Sequence, residues 1–553
     1  MPDGLTPRAK FSSLTPGLWY FHVRAQDGAG NWGAPSHFPH FATASLQEGR
    51  RLRLLGILGN TPQLLKLNKS LKRLAVNGTF YENAPLTSLR KVELEGSHNF
   101  ARFELLQRVS AVPARKHLHP LGKDGKPIND ATLTVCPTDE KYIAERLNAL
   151  RQFLKVNDVS GVWLKSIQFP AKFLSTKPNL SESCFDPSTL ARFQKDTGIK
   201  IVGKNVAEQA NWILANKKKE WAHWKCKVVT SLVTRAKQVI QEERPGALVG
   251  MFTCAWSEKE QGGAVRTIVG HDLVQLGSVV DILSPLTLHR DLGKSADWPA
   301  HRFKELAAQL KTANASAWLW PVIEGQAWKT EKPQISAEEL AIAITRTIEA
   351  GADGIFVDFA THSRQPDVDK LAVIEAVYSE FWRLGQPKPS TTSPVLKELA
   401  PAEKLLKAGK PEQAAALITK AVQMNTHHSK AWSLLGRAHA AAGRSQQAIA
   451  ATRRAIFEAP LDSVPWDQLG RVFKKEKRYA DAIHSFKLAL SHNPALSSSS
   501  YSLAATLILH GQVALAIPHL ESACKYNPKL RKTWQADPEF KPAWQDLRFA
   551  RLK

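Results

Sequence analysis

Gly161-Val-Trp-Leu-Lys-Ser-Ile-Gln-Phe-Pro170 is a short apolar run of β type that ends abruptly in polar residues and a proline. Upstream of it, Ile143, Leu147, Leu150 and Leu154 recur at three- and four-residue spacing, which predicts one amphipathic helix over residues 139–156. Downstream, residues 187–197 read as a second helix. A strand fed by a helix and followed by another is the βα unit of a parallel sheet, and such folds keep their chemistry just past the carboxyl ends of the strands. Lys165 and Ser166 stand at that end.

The alternation continues beyond this unit. The pattern predicts a long helix over 220–243, a strand over 247–253, a short helix near 272–276 and a strand over 279–283. A helix over 301–312 leads to a strand over 317–323, and one over 337–350 to a strand over 354–358, before a last helix over 368–384. Strands separated by helical patterns mean a parallel sheet with right-handed crossovers. The length, about 250 to 330 residues, suits a (β/α)8 barrel, with an open doubly wound sheet as the alternative. No GxGxxG or GxxxxGK[ST] follows any strand, which removes the usual reason to prefer the open sheet. Residues 46–135 are expected to begin the barrel, with a strand at 50–58, a basic helix at 64–74, one or two strands within 92–107 and a turn-rich loop over 116–130. The barrel domain is therefore assigned to 46–385.

A chain of 553 residues is too long for one core, and an apolar share of 43% is that of a packed globular protein. The five cysteines, Cys136, Cys184, Cys226, Cys254 and Cys524, are scattered and form no CxxC pair, which argues against a disulfide scaffold and a structural zinc site. No metal and no cofactor is expected. No run of 18 or more apolar residues predicts a membrane span, and the first residues lack the pattern of a signal peptide.

The net charge of +25 invites a nucleic-acid reading, so its location matters. Residues 136–385 are nearly neutral, with 32 basic and 29 acidic side chains, whereas 46–135 hold 15 against 7 and 386–553 hold 25 against 12. That distribution fits solvated helical faces, and no basic cluster interleaved with aromatics marks a nucleic-acid module.

Residues 17–42 alternate Tyr20, His22, Arg24 and Gln26 with Trp19, Phe21, Val23 and Ala25, then turn through 27–33 into a second extended run. The stretch resembles the closing hairpin of a bacterial immunoglobulin-like or fibronectin type III module. The match begins at Met1 and covers only part of such a module, so the expectation for 1–45 is a remnant truncated at its N-terminus.

After a Pro/Ser/Thr linker at 386–396, a 34-residue repeat occupies 397–553. Trp432, Leu435, Gly436, Ala448, Ala455 and Pro460 recur as Trp466, Leu469, Gly470, Ala482, Ala489 and Pro494, and again as Ser500, Leu503, Ala504, Ala516, Ala523 and Pro528. Gly409, Ala414 and Ala421 mark a weaker first copy, and residues 534–552 are expected to cap the stack. This is the tetratricopeptide pattern, in which small residues let paired helices approach and prolines stop the second helix. Arg437, Arg444, Arg471, Lys474 and Lys475 make the expected groove basic, suited to an acidic peptide or protein partner.

Polar residues at strand ends are the candidates for chemistry. Glycoside hydrolysis needs two carboxyl groups facing each other across the bond to be cut. Glu324 and Asp358, ending consecutive strands, form the best pair, with Glu258 as a third. Ion pairs with rim lysines and arginines are their competing role. Lys165, His289, Gln326 and His362 are candidate substrate contacts, and Trp256 and Trp328 candidate platforms for sugar rings; rim or core packing is the competing role for each. Trp163, Trp318 and Trp320 lie within strands and are assigned to the core.

The segments Val159-Ser-Gly-Val-Trp-Leu-Lys-Ser-Ile-Gln-Phe-Pro170, residues 183–198, Val269-Gly-His-Asp-Leu273 and residues 280–289 resemble the bacterial glycosyl-hydrolase-like (β/α)8 barrels, distant kin of the glycosidase domain of poly-N-acetylglucosamine-processing proteins. The resemblance, over about 130–385, implies extracytoplasmic polysaccharide as the substrate class. The family strand typically reads V-D-G-V-x-L-D-F-I-R-F-P; this chain has Ser160, Lys165 and Gln168 at its aspartate and arginine positions, and Asp186 where a cysteine is common. A lysine at a strand-end carboxylate position reverses the charge and removes that group as nucleophile, base or stabiliser. Two readings follow: a carbohydrate-active or carbohydrate-binding barrel, and a catalytically silent scaffold whose repeats bind partners.

Overall fold

The computed structural model describes residues 98–326 and 334–359, positions 158 and 245 apart, and 395–424, 428–459 and 462–544, together with four earlier strands and a few isolated positions. Strands β1 (Gly17–Val23) and β2 (Ser36–Ala42) form the expected antiparallel hairpin, registered from Gly17 against Ala42 to Val23 against Ser36.

The parallel sheet closes on itself. Strands β3 (Leu54–Leu58), β4 (Gly78–Glu82), β5 (His98–Glu104), β6 (Gly161–Lys165), β7 (Leu248–Thr253) and β8 (Ile282–Thr287) pair in chain order. The next two, β9 (Trp318–Leu319) and β10 (Val322–Glu324), both pair with β8 in one continuous register and are a single strand interrupted at Pro321, which has no N–H for the ladder. Finally β11 (Gly354–Asp358) pairs with β10 on one side and β3 on the other, completing an eight-stranded ring.

Helices α1 (Glu140–Val156), α2 (Pro187–Thr197), α3 (Val206–Asn216), α4 (Lys218–Glu243), α5 (Leu273–Val279), α6 (Trp298–Thr312) and α7 (Ala337–Glu349) follow in this part of the chain. Caps fix several of their starts: Asp139, Asp186, Asp272 and Ser336 each accept a hydrogen bond from a first-turn backbone N–H. Asp186 also accepts from the hydroxyls of Ser188 and Thr189, so its work here is local and structural.

Alternation along each strand divides the core in two. Val162, Leu164, Val249, Met251, Leu283, Ile323, Ile355 and Val357 face outward and share a cluster with helix residues such as Leu150, Val233, Leu306 and Ile344. Phe100, Trp163, Leu248, Ile282, Trp320, Val322 and Phe356 fill the inside. Trp163 and Trp320 stack at 6.2 Å between ring centroids, and Trp320 stacks on Trp318 at 5.4 Å. Gly250 and Gly354 make this possible, because a Cβ at either would fall within the indole of Trp163 or Trp320.

Two sequence expectations are corrected and two elements are added. The strand expected at 279–283 is instead Ile282–Thr287, with Ser284 and Pro285 in its interior and Pro285 in register with Thr253. Helix α3 and strand β4 had no separate expectation. Cys136 and Cys184 form one disulfide across 48 residues, a separation that leaves no local spacing signal; Cys226, Cys254 and Cys524 are free and buried. The expected helices at 64–74 and 368–384 lie outside the described residues, apart from helical positions at Lys370, Val373 and Ile374.

Four helix pairs follow: α8 (Val395–Lys407) with α9 (Pro411–Met424), α10 (Ser429–Ala441) with α11 (Ser445–Glu458), α12 (Ser463–Lys475) with α13 (Tyr479–His492), and α14 (Ser497–Leu509) with α15 (Val513–Tyr526). First helices begin at 395, 429, 463 and 497 and second helices at 411, 445, 479 and 513, so every repeat keeps the 34-residue period. Trp534 of α16 (Leu530–Ala536), with Phe540 and Phe549, closes the last apolar layer.

Candidate functional site

The inward faces of the strands continue, two residues beyond the aromatic filling, into charged side chains at the carboxyl ends. Arg102 and Glu104 follow Phe100 on β5, Lys165 follows Trp163 on β6, Glu324 follows Val322 on β10 and Asp358 follows Phe356 on β11. Register brings them into two neighbouring pairs: Glu104 lies beside Lys165, and Glu324 beside Asp358. Neighbours in register stand about 4.8 Å apart at the backbone, so each pair shares one patch of the mouth. Glu104 was not singled out from the sequence, because its strand lay in the stretch with the weakest pattern.

Lys165 is half-buried at the last position of β6. The chain then turns through Ser166 at φ 61°, a left-handed conformation uncommon for a residue with a side chain. There the Ser166 hydroxyl donates to Glu104 Oε1 at 3.1 Å. The end of β6 is thus tied to a carboxylate on the neighbouring strand.

Glu324 is 1% exposed. Its Oε2 accepts from the backbone N–H groups of Arg290 at 2.8 Å and Asp291 at 3.4 Å, and His289 Nδ1 lies 3.8 Å away. Beyond it, His289 Nε2 meets Glu339 Oε1 at 2.9 Å, and the Arg290 guanidinium grips both oxygens of Glu339 at 2.6 Å. Burial pushes the His289 pKa down, opposed by Glu339. For Glu339 burial acts upward, but hydrogen bonds from Arg290 and His289 hold it below the usual carboxylate value. Glu324 therefore anchors the segment after β8, and that segment is cross-linked to the start of α7.

Asp358 is buried at the end of β11, and its backbone carbonyl accepts from Gly325 N–H at 3.0 Å. Gln326, just past β10, is also buried. Glu258 does not join this group: it is turned to solvent and pairs with Arg266 at 3.1 Å. Trp256 is 2% exposed and packs edge-on against Phe173 in an apolar cluster with Cys254 and Val265, which leaves no ring face for a sugar. Trp328 and His362 lie outside the described residues. Burial pushes the Cys254 thiol up to about 12, so it is no thiolate nucleophile at neutral pH. Among the described residues, no group of three or more His, Cys, Asp or Glu side chains is placed to hold a metal ion. Nor is any described helix long and apolar enough to cross a membrane.

In the repeats, Arg437, Arg444 and Lys475 are exposed. Arg471 donates to Asp467 at 2.8 Å within its own helix, and Lys474 to Glu539 of the capping segment at 2.6 Å. Two of the five basic residues expected to receive a partner are thus engaged within the chain.

The tetratricopeptide repeat family model matches residues 405–469. A search of curated proteins finds no match. Among solved structures, the chain is similar to the PgaB (BpsB) glycoside hydrolase domain from Bordetella bronchiseptica, at 12% identity and TM-score 0.44, covering 55% of this chain and 93% of that one. It is also similar to a β-galactosidase from the Antarctic haloarchaeon Halorubrum lacusprofundi, at 10% identity and TM-score 0.44, over 62% and 60% of the two chains. Over the repeats it is similar to MamA, at 23% identity and TM-score 0.24, covering 25% of this chain and 81% of that one.

Proposed function

We propose that this chain, a parallel (β/α)8 barrel joined to tetratricopeptide repeats, binds polysaccharide at the barrel mouth without cleaving it and recruits a protein partner through the repeats. The observation that carries the reading is the state of the strand ends. Lys165 occupies the position at which the resembled family strand has an aspartate, and it stands beside Glu104. Glu324 is sealed under two backbone N–H groups. A hydrolase needs one carboxyl that can give a proton and a second that can attack or activate water, and both must reach the substrate. A carboxyl group 1% exposed and held by two backbone N–H groups is placed to hold a loop and gives a sugar oxygen little access.

Hydrolysis by Glu324 and Asp358 is the second reading, favoured by their placement as neighbours in register. Purified protein offered a panel of bacterial polysaccharides separates the two: binding without reducing-end release supports the first, and release abolished by Glu324→Gln or Asp358→Asn supports the second. The domain extents 46–385 and 397–553 belong to the same proposal. The Cys136–Cys184 disulfide supports an extracytoplasmic site of action, since such bonds persist in oxidising compartments. An acidic partner for the repeats is supported by Arg437, Arg444 and Lys475, which remain exposed.

A further inference from the structure

The end of the barrel opposite the mouth is closed by a helix of the repeats. Phe457, near the end of α11, belongs to the apolar cluster inside the barrel with Phe100, Leu248, Ile282, Trp320 and Phe356. Its ring centre lies 5.5 Å from that of Trp320 and 5.6 Å from that of Trp318. One turn earlier, Arg454 is buried, its guanidinium 5.9 Å from the ring centre of Trp318 and 5.6 Å from that of Trp432. Its Nε donates to Glu458 at 2.8 Å and its Nη1 lies 3.5 Å from Asp281 Oδ2, just ahead of β8. The same carboxylate accepts from Val249 N–H at 2.9 Å, and Lys237 Nζ is 3.8 Å from its other oxygen. At Gly246, ahead of β7, the backbones approach so closely that a Cβ would stand 3.0 Å from Ala450 O.

The repeat sequence marks this helix as special. At the position of Phe457 the other copies carry Gln423, Ser491 and Lys525, and at the position of Arg454 they carry Lys420, Leu488 and Ser522. Ser491 and Lys525 are exposed, as expected for the outer face of a second helix. A phenylalanine at a polar, outward position of the repeat is costly unless something covers it, and the barrel does.

We infer that the floor of the barrel is the receptor for the second helix of the second repeat, so that barrel and repeats form one rigid body and not two modules on a Pro/Ser/Thr tether. The aromatic plug supplies apolar burial, and the buried Arg454–Asp281–Glu458 group fixes orientation, because an ion pair out of water rewards one geometry and penalises its neighbours. The repeat surface open to a partner is what this docking leaves uncovered.

The test uses the whole chain with a protease site placed in the linker at 386–394. After complete cleavage, the two halves co-elute as one species on size exclusion at micromolar concentration. Phe457→Ala and Arg454→Met each raise the dissociation constant of the cut halves by about tenfold or more, as loss of a central anchor does. Lys525→Ala, the equivalent position of the fourth repeat, leaves it unchanged. Separation of the wild-type halves after cutting overturns the inference, as does equal behaviour of the Phe457 and Lys525 variants. Should Phe457→Ala fail to fold, the cut wild type and Arg454→Met decide.

Discussion

Lys165 ends β6 and Glu324 ends β10, both on the inward side of the sheet. Lys165 stands out in the sequence, since a lysine at a strand's functional edge reverses the charge expected there, and the structure places it at the mouth beside Glu104. Glu324 looks equally functional in the sequence, while in the structure two backbone N–H groups of the segment after β8 hold its carboxyl. That difference is invisible in the sequence, because Arg290 and Asp291 contribute backbone N–H groups, which carry no residue signature. Glu324→Gln leaves one acceptor oxygen for the two backbone donors or sets an NH2 against them. It should cost about 1–3 kcal/mol of stability, measured by urea unfolding. His271 offers a second test at this scale. It is fully buried between Cys254 N–H and the Ile167 carbonyl, and burial pushes its pKa down to about 4. The unfolded chain takes up its proton at about pH 6.5 and the folded chain does not until about pH 4. Stability from this group is therefore full above pH 6.5 and falls as pH drops toward 4. His271→Gln should flatten that part of the stability profile measured by chemical denaturation from pH 8 to 4.

At the scale of elements, periodic segments were legible and packed pairs were not. The apolar face of α1 sits at Ile143, Leu147, Leu150 and Leu154 as the spacing requires, and all four are buried. The pairing of Trp163 with Gly250, and of Trp320 with Gly354, joins residues on different strands that share no local pattern. Gly250→Ala forces a methyl group into the Trp163 ring and should destabilise the barrel by about 1–3 kcal/mol or more, read from the thermal midpoint, while the Asp139 cap and other peripheral features stay intact. The disulfide leaves no local pattern for the same reason, as 48 residues separate its ends. Cys136→Ser should lower stability by about 2–4 kcal/mol, and reductant should lower the wild-type midpoint but not that of the variant. Equal sensitivity of the two proteins to reductant would mean the bond is absent in solution.

For the whole molecule, the layout of barrel and repeats follows from two periods that the sequence displays openly: strands between helical patterns, and the 34-residue offset. The order of the strands and the closure of the ring follow from the short connections of that pattern. What the sequence concealed is the joint, since Phe457 reads as one more apolar residue until the other repeats are laid beside it. The positive charge of the C-terminal region keeps a testable meaning at this scale. Partner capture by the repeats should weaken steeply as salt rises from 50 to 500 mM, as exposed charges are screened; retention that ignores salt would remove the acidic-partner reading.

One paired assay addresses the mouth of the barrel. Wild-type protein and the Lys165→Asp, Glu324→Gln and Asp358→Asn variants are each offered extracellular bacterial polysaccharides, with binding and reducing-end release measured on the same samples. The wild type should bind and yield no product, and product above background should appear only with Lys165→Asp. Wild-type cleavage that disappears in Glu324→Gln or Asp358→Asn would contradict that expectation and establish the barrel as a working two-carboxylate hydrolase.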